Sequence, residues 1–378
     1  MESIAEQLLE RSRKEKEADI TGDSGRSIIG ALLKAENAEP DLRLSEDEVL
    51  AQMQVLILAG YETTSISLTW ALIELALRPD VQDKLRAELC EFATGDPSYD
   101  QFSNGLPYLD AVMREILRLH PALAQTGRVA AYGDVIPLNE PVTTRAGERV
   151  DRITVGHNAA VVVPIRAVNR AESVWGPDAK VFKPERWLND ESGVPAKARE
   201  LQGYHHLLTF IDGPRTCLGR AFAIAEFKSV LSVLIRNYVF DMRDGPETKI
   251  DVITTILPRP KVVGEQGYAM PMRKALRRSR KPKPGKKLRE RELGGAVEAD
   301  GTVDVCVARV WHWVKAGGAA EVARAAVRID TSSRGEGVGN ESEHLHGPSK
   351  ACVYEEKMVG LEGLVDYEDE DGELINSL

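Results

Sequence analysis

Phe210-Ile211-Asp212-Gly213-Pro214-Arg215-Thr216-Cys217-Leu218-Gly219 is the stretch that decides how the rest of the chain is read. It fits F-x-x-G-x-R-x-C-x-G at every fixed position. Gly213 and Gly219 permit tight turns and let the backbone come close to a flat ligand. An amphipathic run from about Arg220 to Arg236 follows at once, so Cys217 stands at a helix start. Amides at a helix start point toward the sulfur and favour a thiolate over a thiol. A lone cysteine in such a place is otherwise a small buried apolar residue. Five fixed positions within ten residues argue for a ligand instead.

Upstream, the pattern is helical. Residues 1–43 read as a charged helix, a turn at Gly22 to Gly25, and a short amphipathic helix near Ile28 to Lys34. Ser45 with Glu48 forms a capping-box pattern. It opens a long helix that runs to about Leu77, where Pro79 stops it. Ala59-Gly60-Tyr61-Glu62-Thr63-Thr64 lies within this apolar helix, and polar residues there need a reason. Read alone, it is a threonine-rich helix whose hydroxyls bond carbonyls four residues back. Asp80 to Ala93 and Leu106 to Leu119 make two more helices. The second carries Glu115 and Arg118, set on one face by their i,i+3 spacing. By itself that spacing describes an ordinary solvated pair. From Arg128 to Val163 the chain changes to short β-like runs punctuated by Gly and Pro. Phe182-Lys183-Pro184-Glu185-Arg186-Trp187 precedes the cysteine loop, and short strands follow the last helix to Tyr268. His205 and His206 are adjacent, point to different faces and make poor joint ligands.

The motifs, in this order, resemble the cytochrome P450 family over about residues 1–273. The resemblance implies a mainly α fold with small β-sheets (α+β), the C-terminal portion of the cytochrome P450 fold. It implies haem b with the Cys217 thiolate as proximal ligand, a ligand that pushes electron density onto iron and promotes O–O cleavage. Phe210, Ala59 and Gly60 would border the haem, and Gly60 would leave room for oxygen. Thr63 would hold oxygen-side hydrogen bonds while Glu62 relays protons, which is general acid work. Arg215 and Arg128 would pair with the propionates, a geometry that suits guanidinium; Arg128 reads equally as a strand-edge arginine. Glu115, Arg118 and Arg186 would form a buried ion network. Ala122 to Gly127, Leu56 to Ala59 and Thr254 to Leu257 match segments bordering the substrate pocket. The implied activity is insertion of one atom of O2 into a small apolar substrate. Electrons would come from an NADPH-dependent reductase, because no G-x-G-x-x-G or flavin motif is present. The wording of the motifs is fungal-like, and the chain starts where a mid-chain helix of the family would lie, as an N-terminally truncated member. Two rival readings are an inactive haem-domain remnant and an interaction protein acting through a charged tail.

That tail is residues 274–378, a basic then acidic appendage expected to be largely disordered. Arg273 to Arg291 is basic with Pro282, Pro284 and Gly285, and the end holds Asp366, Glu368, Asp369, Glu370, Asp371 and Glu373. Trp311-His312-Trp313 lies between, with nothing to mark it as a site. The net charge of −10 over 378 residues argues against nucleic acid as a partner. Cys90, Cys217, Cys306 and Cys352 form no CxxC pair, which suits a reducing compartment. No secretory signal opens the chain, and no run reaches the ~18 consecutive apolar residues of a membrane span. Full-length members of the family that the chain resembles typically sit on the endoplasmic reticulum membrane, facing the cytoplasm.

Overall fold

The computed structural model describes residues 2–18, 28–36, 39, 43–91, 99–188, 193–253, 257–265, 270–276, 302–305, 367–368 and 374–375. The expected turn at Gly22 to Gly25, most of the basic and acidic tail, and Trp311-His312-Trp313 lie outside those residues.

Ser45 caps the longest helix, α3 (Glu46–Leu77). Its Oγ accepts from Glu48 N at 3.3 Å, and Glu48 Oε2 accepts from Ser45 N at 2.8 Å. Pro79 then does two jobs. It ends α3, and it supplies the first turn of α4 (Pro79–Cys90), where its missing N–H costs nothing. The two halves of α3 differ. The first packs Val49 and Met53 on α1 (Glu2–Ala18) and α2 (Ile28–Ala35), closing a small core with Ala5, Leu9 and Leu33. The second is buried without a break from Thr64 to Ala76, as a helix at the centre of a core must be. By length and composition α3 is also apolar enough to cross a membrane, and 56% of that apolar window is buried within the protein.

Around that second half pack α4, α6 (Pro107–Leu119) and α10 (Arg220–Asn237), with α5 (Tyr99–Asn104) beside them. α6 has no side-chain cap of its own at Leu106. Glu88 of α4 serves instead, accepting from Tyr108 N at 2.7 Å and Leu109 N at 2.8 Å. Glu88→Ala is expected to cost about 1–2 kcal/mol, the range for lost helix caps, read as a lower urea midpoint.

Strands gather in small antiparallel sheets. β1 (Thr126–Val129) pairs with β4 (Ala160–Val163), and β2 (Asp134–Thr143) with β3 (Arg149–Val155). β5 (Tyr238–Met242) continues directly from α10 and pairs with β8 (Met270–Leu276). β6 (Ile250–Ile253) pairs with β7 (Arg259–Val262). β5 is sewn to the helices by Gln82, whose amide donates to Leu75 O and Phe240 O and accepts from Phe240 N, all within 3.0 Å. β8 runs past residue 273 to Leu276, and β9 (Thr302–Val305) pairs with its other edge, Met270 opposite Val305. Short helices α7 (Ile165–Arg170), α8 (Glu172–Trp175) and α9 (Ala196–Arg199) fill the stretch between β4 and the cysteine loop.

Candidate functional site

The cysteine loop folds back on itself before α10 begins. Cys217 N donates to Phe210 O at 2.9 Å, so the two ends of the motif are tied. Thr216 donates to Gly213 O twice, from its amide at 3.1 Å and its hydroxyl at 2.8 Å. Such a return needs left-handed backbone, found at Ile211 (φ 57°) and Gly213 (φ 72°). Glycine adopts it freely, whereas a β-branched residue is strained there. Phe210 anchors the loop, buried and edge-on to Tyr204 at 5.7 Å. Beyond that anchor the loop opens. Cys217 is exposed, Leu218 is 93% exposed and Phe222 is 55% exposed.

The base of the loop is wired to the Glu115–Arg118 pair, which is wholly buried. Arg118 donates to Glu115 from Nε at 3.0 Å and Nη2 at 2.8 Å, and to Asn169 O at 3.0 Å, Val181 O at 3.2 Å and Ala179 O. The Glu115 carboxylate also accepts from Lys183 N at 2.9 Å and Trp187 Nε1 at 2.8 Å. Arg186 approaches Glu115 at 3.6 Å, but its nearer partner is Asp178 at 2.9 Å. Asn169, fully buried on α7, then joins this network to the loop. Its amide donates to Thr209 Oγ1 at 2.9 Å and accepts from Leu208 N at 3.4 Å, while Thr209 donates to Leu117 O at 2.6 Å. Asn169→Ala strands these groups and is expected to cost about 1–3 kcal/mol in a denaturant titration.

The central α3 motif faces less burial than the residues after it. Val55 and Leu58 are 59% and 54% exposed. Thr63 donates to Ala59 O at 2.7 Å, the i−4 bond expected of a helical hydroxyl, and its lone pairs can still accept. Glu62 pairs with Arg259 of β7 at 2.8 Å. Next in sequence, buried Thr64 hydrogen-bonds Glu226 of α10, so α3 and α10 touch there. The exposed stretches of both helices precede this contact in sequence. Arg215 lies exposed in the 3₁₀ turn Gly213–Arg215. Arg128 of β1 is half-buried and bonds its own strand, at Thr126 Oγ1 (3.0 Å) and Gly127 O (2.7 Å).

The cysteine loop leaves room for a planar apolar group beside the Cys217 sulfur. A Cβ placed on Gly60, Gly213 or Gly219 would meet nothing within 4 Å. Apolar side chains stand exposed beside an accessible sulfur, and surfaces of that kind mark binding sites. Among the described residues no group of three or more His, Cys, Asp or Glu offers an alternative metal site.

Residues 1–262 match the family model for cytochrome P450. The chain belongs to the cytochrome P450 family. It is 59% identical over 271 residues to a cytochrome P450 monooxygenase, claW, of Ampulloclitocybe clavipes, covering 71% of this chain and 50% of that protein. It is 58% identical to claU of the same fungus over equal shares. A ganoderic acid synthetase, CYP5150L8, of Ganoderma lucidum is 42% identical over 229 residues, 59% of this chain and 42% of that protein. The chain thus spans about half the length of the curated P450 relatives it matches. The mixture of helices with small antiparallel sheets is that of the P450 domain.

Several residues of this P450 chain escaped sequence reasoning. Asn169 and Glu226 belong to no short motif, and Arg259 stands in Leu257-Pro258-Arg259-Pro260, which resembles a late strand segment of the family without naming Glu62 as its partner. His120 is another. Its ring stacks on Trp70 at 4.0 Å and meets Glu74 at 2.7 Å, and Arg78 closes the cluster on Glu74. Burial, followed by the charges of Arg170 and Arg166, holds His120 below its ordinary value despite Glu74. Burial raises Glu74, but His120 and Arg78 outweigh it and keep the carboxylate ionised. The neutral imidazole therefore donates to Glu74. Because the folded chain resists protonation at His120, the stability this contributes is complete above pH 6.5, the unfolded value, and falls as pH drops below it. The urea midpoint is expected to fall from pH 7 to pH 5, with a slope up to about 1.4 kcal/mol per pH unit for this proton, and His120→Gln should flatten that slope.

Proposed function

We propose that this chain carries the haem-thiolate centre of a monooxygenase, with the Cys217 sulfur as proximal ligand of haem b. The observation that supports it most is the accessible sulfur beside uncovered apolar surface, on a loop tied at 2.9 Å between Phe210 and Cys217. When bound, the haem iron supplies oxygen activation, aided by electron density from the thiolate.

The chain's own residues do the rest. The start of α10 fixes the end of the loop, with Arg220 N donating to Cys217 O at 3.3 Å and Ala223 N to Gly219 O at 2.8 Å. Phe210, Ala59 and Gly60 border the planar group, and glycine at 60 keeps one side clear. Arg215 and Arg128 each offer a guanidinium to a propionate, which for Arg128 means exchanging its bonds within β1. Thr63 keeps its proton on Ala59 O and accepts from a solvent or oxygen-side donor. Glu62 takes and gives up protons beside it. Glu115, Arg118 and Arg186 are structural and hold the loop's base. Apolar surface at Val55 and Leu58 suits a small apolar substrate, with O2 as co-substrate. An NADPH-dependent reductase is the proposed electron donor. Residues 1–273 are proposed as the haem domain and 274–378 as an appendage that joins its last sheet through the end of β8 and through β9.

The test is spectroscopic. The purified chain is mixed with haemin, reduced and exposed to CO. The expected result is the band of a thiolate-ligated haem. A folded chain, by circular dichroism, that gives no such band overturns the reading.

A further inference from the structure

β6 and β7 form a hairpin in which Ile253 stands opposite Arg259. Arg259 leaves that hairpin and crosses to α3. Its Nη2 reaches Glu62 Oε1 at 2.8 Å, between residues 197 apart in sequence. The two side chains are 29% and 26% exposed. A part-exposed ion pair of this kind shifts an equilibrium by about fivefold or less, roughly 1 kcal/mol. That is too little to hold the fold together. It is enough to decide where one carboxylate points.

The neighbours of Glu62 are already committed. Thr63 gives its proton to Ala59 O, and Ser65 gives its own to Tyr61 O at 2.7 Å and Glu62 O at 3.0 Å. Glu62 is instead held by another element of the fold, as Thr64 is by Glu226 of α10. β6 and β7 also pack on the core that α3 helps to form, through Val262 with Ile250 and Val252, so the charged contact adds direction to an apolar one and is of a strength that ligand binding can overcome.

We infer that Arg259 is a positioning residue that holds the Glu62 carboxylate toward the β6–β7 hairpin for as long as the hairpin keeps its place. The inference rests on the proposed role of Glu62 in passing protons beside the haem. With the pair closed, Glu62 is held toward the hairpin. A ligand that displaces the hairpin takes Arg259 with it and releases the carboxylate to turn along α3. Proton delivery is thereby linked to the position of the hairpin.

The test uses the full chain loaded with haem, as wild type, Arg259→Ala, Arg259→Lys, Glu62→Gln and the Arg259→Ala/Glu62→Gln double variant. Hydrogen exchange is followed at residues 250–253 and 259–262. Turnover is followed with a reductase, NADPH and 7-ethoxycoumarin as the apolar probe. Each single loss is expected to speed hairpin exchange about fivefold, with no further gain in the double variant. Arg259→Ala should lower kcat about fivefold with KM within about twofold, and release more hydrogen peroxide per NADPH. Arg259→Lys should restore most of both effects. Unchanged hairpin exchange in both single variants, or fully additive gains in the double variant, would overturn the tie. An unchanged kcat and peroxide yield in Arg259→Ala would overturn its positioning role. Coupled exchange in a chain that gives no thiolate band would instead sink the haem reading and leave the tie standing.

Discussion

Arg118→Ala is expected to cost about 3–5 kcal/mol, because it removes one half of a buried ion pair and leaves the other half charged. Typical domains have only about 5–15 kcal/mol to lose, so much of the chain's stability would go. The geometry explains the size. Arg118 is wholly buried and gives its N–H groups to Glu115 and to the carbonyls of Asn169, Ala179 and Val181. Its guanidinium also lies over Trp175 at 5.1 Å. Alanine would leave three carbonyls and a carboxylate without it, in a site water cannot reach. Lysine keeps the charge but has no planar fork, so Arg118→Lys should recover little. A urea titration reads the effect. A loss under about 1 kcal/mol for Arg118→Ala would mean that the network is loose in solution.

Cys217→Ala should have the opposite profile. The side chain is exposed, so stability is expected to change by no more than about 0.5 kcal/mol. The reduced-CO band of the thiolate-ligated haem should vanish altogether. The loop should still close, since its tie runs through the Cys217 amide, which alanine retains. Equal urea midpoints for the two proteins, with the band lost from one, would separate ligand from scaffold. Survival of the band in Cys217→Ala would show that another group binds the iron.

The two variants also mark what sequence can and cannot reveal. The cysteine loop was legible because its chemistry is local: glycines that turn, a cysteine, and a helix start, all within ten residues. The capping box at Ser45 and the stop at Pro79 were legible for the same reason. Glu115 and Arg118 were visible as a pair, yet their spacing alone describes a solvated pair as well as a buried one. What decides between them is Trp187, Lys183 and Asn169, which arrive from 51 to 72 positions away. Gln82 and Glu88 look like surface residues of α4, and each instead satisfies the backbone of another element. Arg259 stands near the end of the domain and finds Glu62 across 197 residues. A polar side chain does not announce, in sequence, whether its partner is water or a distant strand. The last sheet shows the same limit, since β8 runs on to Leu276 beside β5 and takes β9 on its other edge, neither of which a local pattern announces.

α10 combines an uncovered front with a clamped rear. Its first turn, from Arg220 to Phe222, is exposed, whereas Phe227 to Ser232 are buried. It is therefore supported unevenly: the sulfur lies just before its exposed first turn, Ala223 and Ile224 pack in part on the core, and full burial begins at Phe227, about two turns from Arg220. A tilt of about 5° at that support would carry the tip by roughly 1 Å over a half-length of about 13 Å. Displacements of that order are enough to detune a reacting geometry. Core substitutions at buried Leu231 or Val230 are thus expected to shift the spectrum of the haem-loaded chain, and a screen for altered ligation should look to the buried end of this helix as well as to the loop.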